Sequence, residues 1–327
     1  MSIDLILNNL LSPPILFFLL GVFATLVKSD LEMPTQVARF LSLYLLFAIG
    51  FKGGYKLSES DFSPEIVLML GAATATSFII PLWCFAILRR RLPVPDAAAI
   101  AATYGSVSAV TFITAVSFLK SESVEYGGHM IAAMALMESP AIVVGVLLAR
   151  WFGEREEGGQ INWSELGREA FLNGSVLVLM GSMIIGLATA RNGGWASVDQ
   201  FADGDMFKGV LCLFLLDMGL VAAKRIRDLK ESGFILIAFS VIAAVVHAML
   251  GIGIAWLIGS SAGDALLLAC LVGGASYIAV PAAVRLAIPK ANPSLYVPMS
   301  LGLTFPFNVI IGIPLYYAVI KMLWSSS

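Results

Sequence analysis

The sequence predicts an all-α integral membrane protein: ten transmembrane helices in a five-plus-five inverted repeat, two of them broken and crossing. Three observations lead there. Of 327 residues, 59% are hydrophobic and 13% charged, with a mean hydropathy of +0.90, which leaves too little polar surface to cover a soluble globule. The apolar residues come in long runs without period-two alternation, so the spans are helices and not barrel strands. Finally, Asp96 to Phe112 matches Asp264 to Val280 at a constant offset of 168 residues, pairing Asp96 with Asp264, Gly105 with Gly273 and Ser108 with Ser276.

The spans follow from the apolar runs, each long enough to reach across a bilayer. They are expected at Pro13 to Lys28, Val37 to Lys56, Pro64 to Leu88, Ala97 to Leu119 and His129 to Trp151 in the first half. The second half holds Phe171 to Ala190, Met206 to Ala223, Phe234 to Ile258, Ala265 to Leu286 and Tyr296 to Leu323. The first run lacks the basic start and cleavage site of a signal peptide and is expected to be retained. Residues 1–151 then form one repeat, 152–168 a linker and 169–327 the second repeat. Cys84, Cys212 and Cys270 fall inside spans and are expected as reduced packing residues.

Orientation follows from Lys and Arg. Assigned by connection, 14 of the 20 lie on one side: Lys28, Arg39, Arg89, Arg90, Arg91, Arg150, Arg155, Arg168, Lys224, Arg225, Arg227, Lys230, Arg285 and Lys290. Lys52, Lys56, Lys120, Arg191, Lys208 and Lys321 lie on the other. The positive-inside rule makes the first side cytoplasmic, with both termini outside and the linker around Glu154 to Gly159 inside. Five spans per half is an odd number, so the second half enters from the opposite face and the repeat is inverted. Further echoes are Leu45 to Gly50 with Leu215 to Gly219, and Glu138-Ser-Pro140 with Thr304-Phe-Pro306.

Each matched span is interrupted near its middle, by GSVS at Gly105 to Ser108 and by GGAS at Gly273 to Ser276. A helix broken inside a membrane frees backbone groups that cost several kcal/mol if unpaired, so the break lines a polar cavity or binds something. The half-helix after each break presents amide N–H groups and about half a positive charge. With hydroxyls from Ser106, Ser108, Thr111 and Ser276, and no Lys or Arg at either break, the pair suits a small oxyanion held by backbone donors. Carbonyls around Tyr104 to Ser106 and Val272 to Gly274 suit a sodium ion or a proton carrier. The competing explanation is close helix packing through small residues, which a matched pair makes less economical than a single stretch would.

Glu138, inside the fifth span, is a cation ligand, a proton carrier or a hydrogen-bonded packing residue. Ser139, Thr304 and Asn308 supply oxygens at related depth, beside Pro140 and Pro306, which loosen the backbone. Asp217 is a structural pair, a gate residue or an ion ligand. His129 and His247 lack metal-ligand spacing, and Tyr316 and Tyr317 fit an aromatic belt.

At GSVSAVT, Met137 to Ala141, Arg285 to Pro289 with Asn292-Pro-Ser294, and Phe305 to Asn308, the chain resembles the sodium-dependent bicarbonate transporter family, known from cyanobacterial carbon-concentrating systems. The resemblance covers essentially all ten spans. It implies a core and a gate domain, a homotrimer, elevator-like movement, and bicarbonate at the crossing of the broken helices with sodium beside it. Carried over, the anion site is Gly105, Ser106, Val107, Ser108 and Thr111 with Gly274, Ala275, Ser276 and Tyr277. Tyr104, Glu138, Ser139, Thr304 and Asn308 are the sodium candidates. Where cyanobacterial members read Ser-Asp-Ile-Ser, this chain has Ser276-Tyr-Ile-Ala279 and so lacks a carboxylate and a hydroxyl. A PII-like cytoplasmic regulator is a further implied partner, though the linker here is shorter than theirs.

The expectation is a sodium-coupled symporter importing bicarbonate or a similar small anion across the cell inner membrane, with sodium as coupling ion and no organic cofactor. The rivals are the same scaffold carrying another organic or inorganic anion, and a membrane sensor that binds without flux. Enzyme chemistry has no support: HExxH, GxSxG and usable Cys/His/Asp spacings are missing from the sequence. Neither a net charge of -2 nor any basic cluster points to nucleic acid.

Overall fold

The computed structural model describes residues 3–59, 63–153, 164, 166–168, 172, 174–228 and 233–325, and every regular element among them is helical. Most of the expected linker, Glu154 to Gly159 included, lies outside the described residues, as do Phe171 and Lys230.

The first half comprises α1 (Ile3–Leu10), α2 (Pro13–Leu26), α3 (Thr35–Ser58), α4 (Pro64–Leu88), α5 (Val94–Gly105), α6 (Ala109–Ser121), α7 (His129–Glu138) and α8 (Pro140–Phe152). The second comprises α9 (Gly174–Thr189), α10 (Gly194–Ala202), α11 (Asp205–Asp228), α12 (Gly233–Ile258), α13 (Ala262–Val272), α14 (Ala279–Ala287) and a last span, α15 (Pro293–Trp324). Among the described residues eight helical stretches are long and apolar enough to cross a membrane. The other two expected spans are shorter: α2 has 14 residues, and the ninth is α13, of 11 residues, followed past its break by α14. The hydropathy pattern gave no sign of α1 or α10, since neither is as long as a span.

Proline shapes the long helices by removing amide donors. In α15, Pro298, Pro306 and Pro314 accompany π-helical turns at Pro298–Thr304 and Asn308–Gly312. Pro314 leaves the Ile310 carbonyl without its usual partner. The Asn9 amide of α1 supplies one, donating to Ile310 O at 3.2 Å and to Val309 O at 3.0 Å. In the fifth span Pro140 divides α7 from α8, and hydroxyls from elsewhere meet carbonyls at the division: Ser77 Oγ donates to Met137 O (2.6 Å) and Ser106 Oγ to Glu138 O (3.0 Å).

Two close helix pairs hold one part of the molecule together. Helix α2 packs on α11, and α3 on α9. In the first pair Gly21 faces the Leu216 carbonyl and Gly219 faces the Phe18 carbonyl; in the second, Gly54 faces Met183 O and Gly186 faces Phe51 O. A Cβ at any of the four would overlap backbone atoms, so the pairs depend on small residues letting the chains approach. Gly54→Ala therefore forces α3 and α9 apart and is expected to cost about 1–3 kcal/mol. Gly181→Ala, on α9 with open space at its Cβ, is expected to leave stability unchanged or slightly raised. Thermal unfolding of the two variants in detergent checks this, and equal midpoints would refute it.

Helices α4 to α8 pack with α12 to α15 into the remainder of the molecule. The aligned aspartates each tie a loop of the opposite half. Asp264 Oδ1 accepts from Gly127 N, and Asp96 Oδ1 from Asn292 N, both at 2.7 Å.

Candidate functional site

Both matched spans are interrupted where the sequence places the small residues. Helix α5 ends at Gly105 and α6 begins at Ala109; α13 ends at Val272 and α14 begins at Ala279. The interruptions touch, since the Ser276 amide donates to Thr103 O at 2.9 Å. Glycine eases the approach on both sides, most sharply at Gly105. A Cβ on Gly105 would strike the Pro81 ring, and one on Gly274 would sit 3.1 Å from Ser108 N.

The aligned serines do the same work in each half. Ser108 Oγ accepts from Thr111 N at 3.2 Å and from the Thr111 hydroxyl at 2.9 Å, capping α6. Ser276 Oγ accepts from Val280 N at 3.3 Å, at the start of α14. Their hydroxyls thus orient two helix N-termini, each carrying partial positive charge and amides with no intrahelical acceptor.

These termini meet in a cavity of about 30 Å³ measured for water-sized centres, a few times the minimum that holds one water. Val107, Ser108, Ser276 and Tyr277 line it from the breaks, Glu138 from α7, and Ser42, Leu179 and Phe214 from α3, α9 and α11. Glu138 is the one acidic residue, and no basic residue occurs, among the described lining residues. The Tyr277 hydroxyl is buried, and its ring packs on Phe305 at 5.5 Å.

The other predicted residues are distributed unevenly. Ser106 and Thr111 are buried beside the cavity, with Ser106 committed to the Glu138 carbonyl. Gly105, Gly274 and Ala275 build the breaks. Ser139 is buried at the α7–α8 division. Tyr104, Thr304 and Asn308 stand apart from the cavity lining. The Tyr104 hydroxyl lies 2.7 Å from Thr304 Oγ1, which donates to Ser240 O at 3.0 Å. Asn308 Nδ2 donates to Gly273 O at 2.9 Å, and its Oδ1 accepts from the Tyr316 hydroxyl at 2.7 Å. The carbonyls of Thr103, Glu138 and Gly273, freed by the interruptions, are thus all engaged by the protein itself.

Some expectations are corrected by burial. Tyr316 is fully buried and Tyr317 is 4% exposed, so neither belongs to an aromatic belt; Tyr316 serves Asn308, and Tyr317 packs on Phe118. Asp217 is buried, 5% exposed, within α11. It sits one turn along α11 from the cavity residue Phe214. Residues that sequence reasoning missed, Ser42, Leu179 and Phe214, come from α3, α9 and α11, which carry neither matched interruption.

A helical membrane protein in which two interrupted spans abut around a small cavity has the architecture of a transporter. The chain belongs to the Na+-dependent bicarbonate transporter superfamily, whose family model matches residues 13–321. No curated protein matches the chain.

Proposed function

We propose that the protein is a sodium-coupled symporter that imports bicarbonate or a similarly small anion, bound between the N-termini of α6 and α14. One observation carries this reading: the two helix N-termini and Glu138 share a single small cavity. The termini attract an anion, and the volume favours one of few heavy atoms over a larger organic acid.

Glu138 supplies the reason for coupling. A carboxylate and an anion about 4 Å apart repel by about 4 kcal/mol at an effective dielectric constant of 20. A cation sharing the cavity removes that repulsion, so anion and cation bind better together than singly. We assign the cation contact to Glu138, with Ser139 next to it, and give Tyr104, Thr304 and Asn308 the supporting role of holding the break carbonyls and α15 in place. If one sodium accompanies one monovalent anion, no net charge moves, and accumulation is limited by the sodium gradient.

The proposal includes ten spans as an inverted repeat, residues 1–151 and 169–327 about a cytoplasmic linker at 152–168. The reciprocal ties of Asp96 and Asp264 and the crossed pairing of α2 with α11 and α3 with α9 support it. The division into α2, α3, α9 and α11 against the rest supports a gate and a moving core. Placement in the cell inner membrane with both termini outside, a homotrimer, and a PII-like regulator at the cytoplasmic face complete the reading on family grounds.

In liposomes, labelled bicarbonate is expected to accumulate with an inward sodium gradient and not with potassium in its place. Uptake that ignores sodium, or binding with no uptake at all, would overturn the assignment.

A further inference from the structure

A second, larger cavity of about 280 Å³ lies at the C-terminal end of α3, lined by Lys52, Lys56, Lys120, Tyr126, Trp195 and Asp203 among others. It stands over the cavity between the breaks. Leu45 and Leu46 line the inner cavity and Lys52 the outer one, and likewise Ile113 and Lys120. Six or seven residues along α3 and α6 correspond to about 10 Å at 1.5 Å per residue.

The floor of this vestibule has more positive than negative charge. Asp203 Oδ1 is shared by two ammonium groups, Lys52 at 2.9 Å and Lys120 at 3.1 Å. Lys56 reaches Glu125 at 2.6 Å, but the Glu125 side chain is 92% exposed, whereas that of Lys52 is 9% exposed. The Lys56 hydrogen bond holds the Glu125 carboxyl below its ordinary range, so this rim group remains an anion. Glu59, the other carboxylate on the wall, is also exposed and at the rim. Glu59 and Glu125 therefore sit outward at the rim, while Asp203 lies between Lys52 and Lys120 and leaves the floor one positive charge in excess, which favours small anions. The Tyr126 ring, 7% exposed, packs under the Lys56 ammonium, 4.3 Å from its centre, and holds that charge in the wall.

We propose that the vestibule is a second anion site, where Lys52, Lys56 and Lys120 hold a small oxyanion before it reaches the cavity between the breaks. The onward step rests on the transport reading, whereas binding in the vestibule does not.

Trp195 reports on this site directly, because it lines the vestibule and stacks on Tyr55 at 4.8 Å. The experiment compares quenching of tryptophan fluorescence by iodide and by neutral acrylamide, in purified protein at constant ionic strength. Iodide is expected to quench a component that disappears in Trp195→Phe and that bicarbonate protects. In Lys120→Gln and Lys56→Gln that component's iodide sensitivity is expected to fall by about threefold or more, with acrylamide quenching as in the wild type, which shows the fold is kept. Equal behaviour of the two quenchers at Trp195, no protection by bicarbonate, or unchanged iodide sensitivity in both lysine variants would each overturn the proposal. Quenching needs no flux: sodium-driven uptake can fail while the vestibule stands, and the reverse.

Discussion

Ser108→Leu is expected to lower bicarbonate uptake by about 100-fold or more, equivalent to at least about 2.7 kcal/mol. Two effects combine. Leucine puts three carbons where one oxygen stood, in a cavity of only about 30 Å³ whose wall includes Ser108. It also removes the Ser108 acceptor that receives the Thr111 amide and hydroxyl, a cap whose loss costs about 1 kcal/mol. Ser108→Ala separates the two, because it removes the cap and leaves the space. It should retain uptake within about tenfold of the wild type, in keeping with the cap alone. Initial rates in proteoliposomes, with thermal unfolding as a control for folding, decide the matter. A Ser108→Leu protein that unfolds at the wild-type temperature and transports normally would show that the anion lies elsewhere.

Glu138→Gln is expected to uncouple the two ligands. On the proposed reading the wild-type carboxylate opposes the anion until a cation arrives, so sodium strengthens anion binding and the anion strengthens sodium binding by the same factor. Glutamine keeps the shape and removes the charge. Sodium affinity should then fall by about tenfold or more, the equivalent of about 1.4 kcal/mol. Bicarbonate binding without sodium should become tighter than in the wild type, because the repulsion in the cavity is gone. Calorimetric titration of bicarbonate with and without sodium measures both terms. An unchanged ratio of the two affinities would move the cation away from Glu138, and the buried Asp217 on α11 would be the next acid to test.

Much of this was legible from residues alone, for definable reasons. The positions of the two interruptions were predictable because a glycine–serine stretch inside an apolar span has few other uses when it recurs at a fixed offset, and the helices stop at Gly105 and Val272. Glu138 was identifiable because a carboxylate inside an apolar span is conspicuous, and the structure places it in the cavity with Ser108 and Ser276. Thr304 and Asn308 shared the same polar signal yet lie in a separate hydrogen-bonded cluster. Residue type and depth cannot show which way a helix is rotated, and rotation separates a cavity group from a partner for another helix's carbonyl. Tyr316 was misread for the same reason: near a span's end an aromatic ring faces lipid or protein depending on rotation, and here it faces Asn308.

The sequence by itself determined that this chain lives in a membrane, where its helices break, and to which transporter superfamily it belongs. These are properties of composition and local order, since hydropathy and the cost of unpaired backbone groups act residue by residue. Only the tertiary structure decided that the two breaks meet, that the carbonyls of Thr103, Glu138 and Gly273 are already paired within the protein, that Glu138 lines the cavity between the breaks, and that lysines distant in sequence gather above it. Those outcomes depend on how helices far apart in the chain are packed and turned against one another, through contacts such as those of Gly21 with Leu216 and Gly54 with Met183 that hydropathy does not encode.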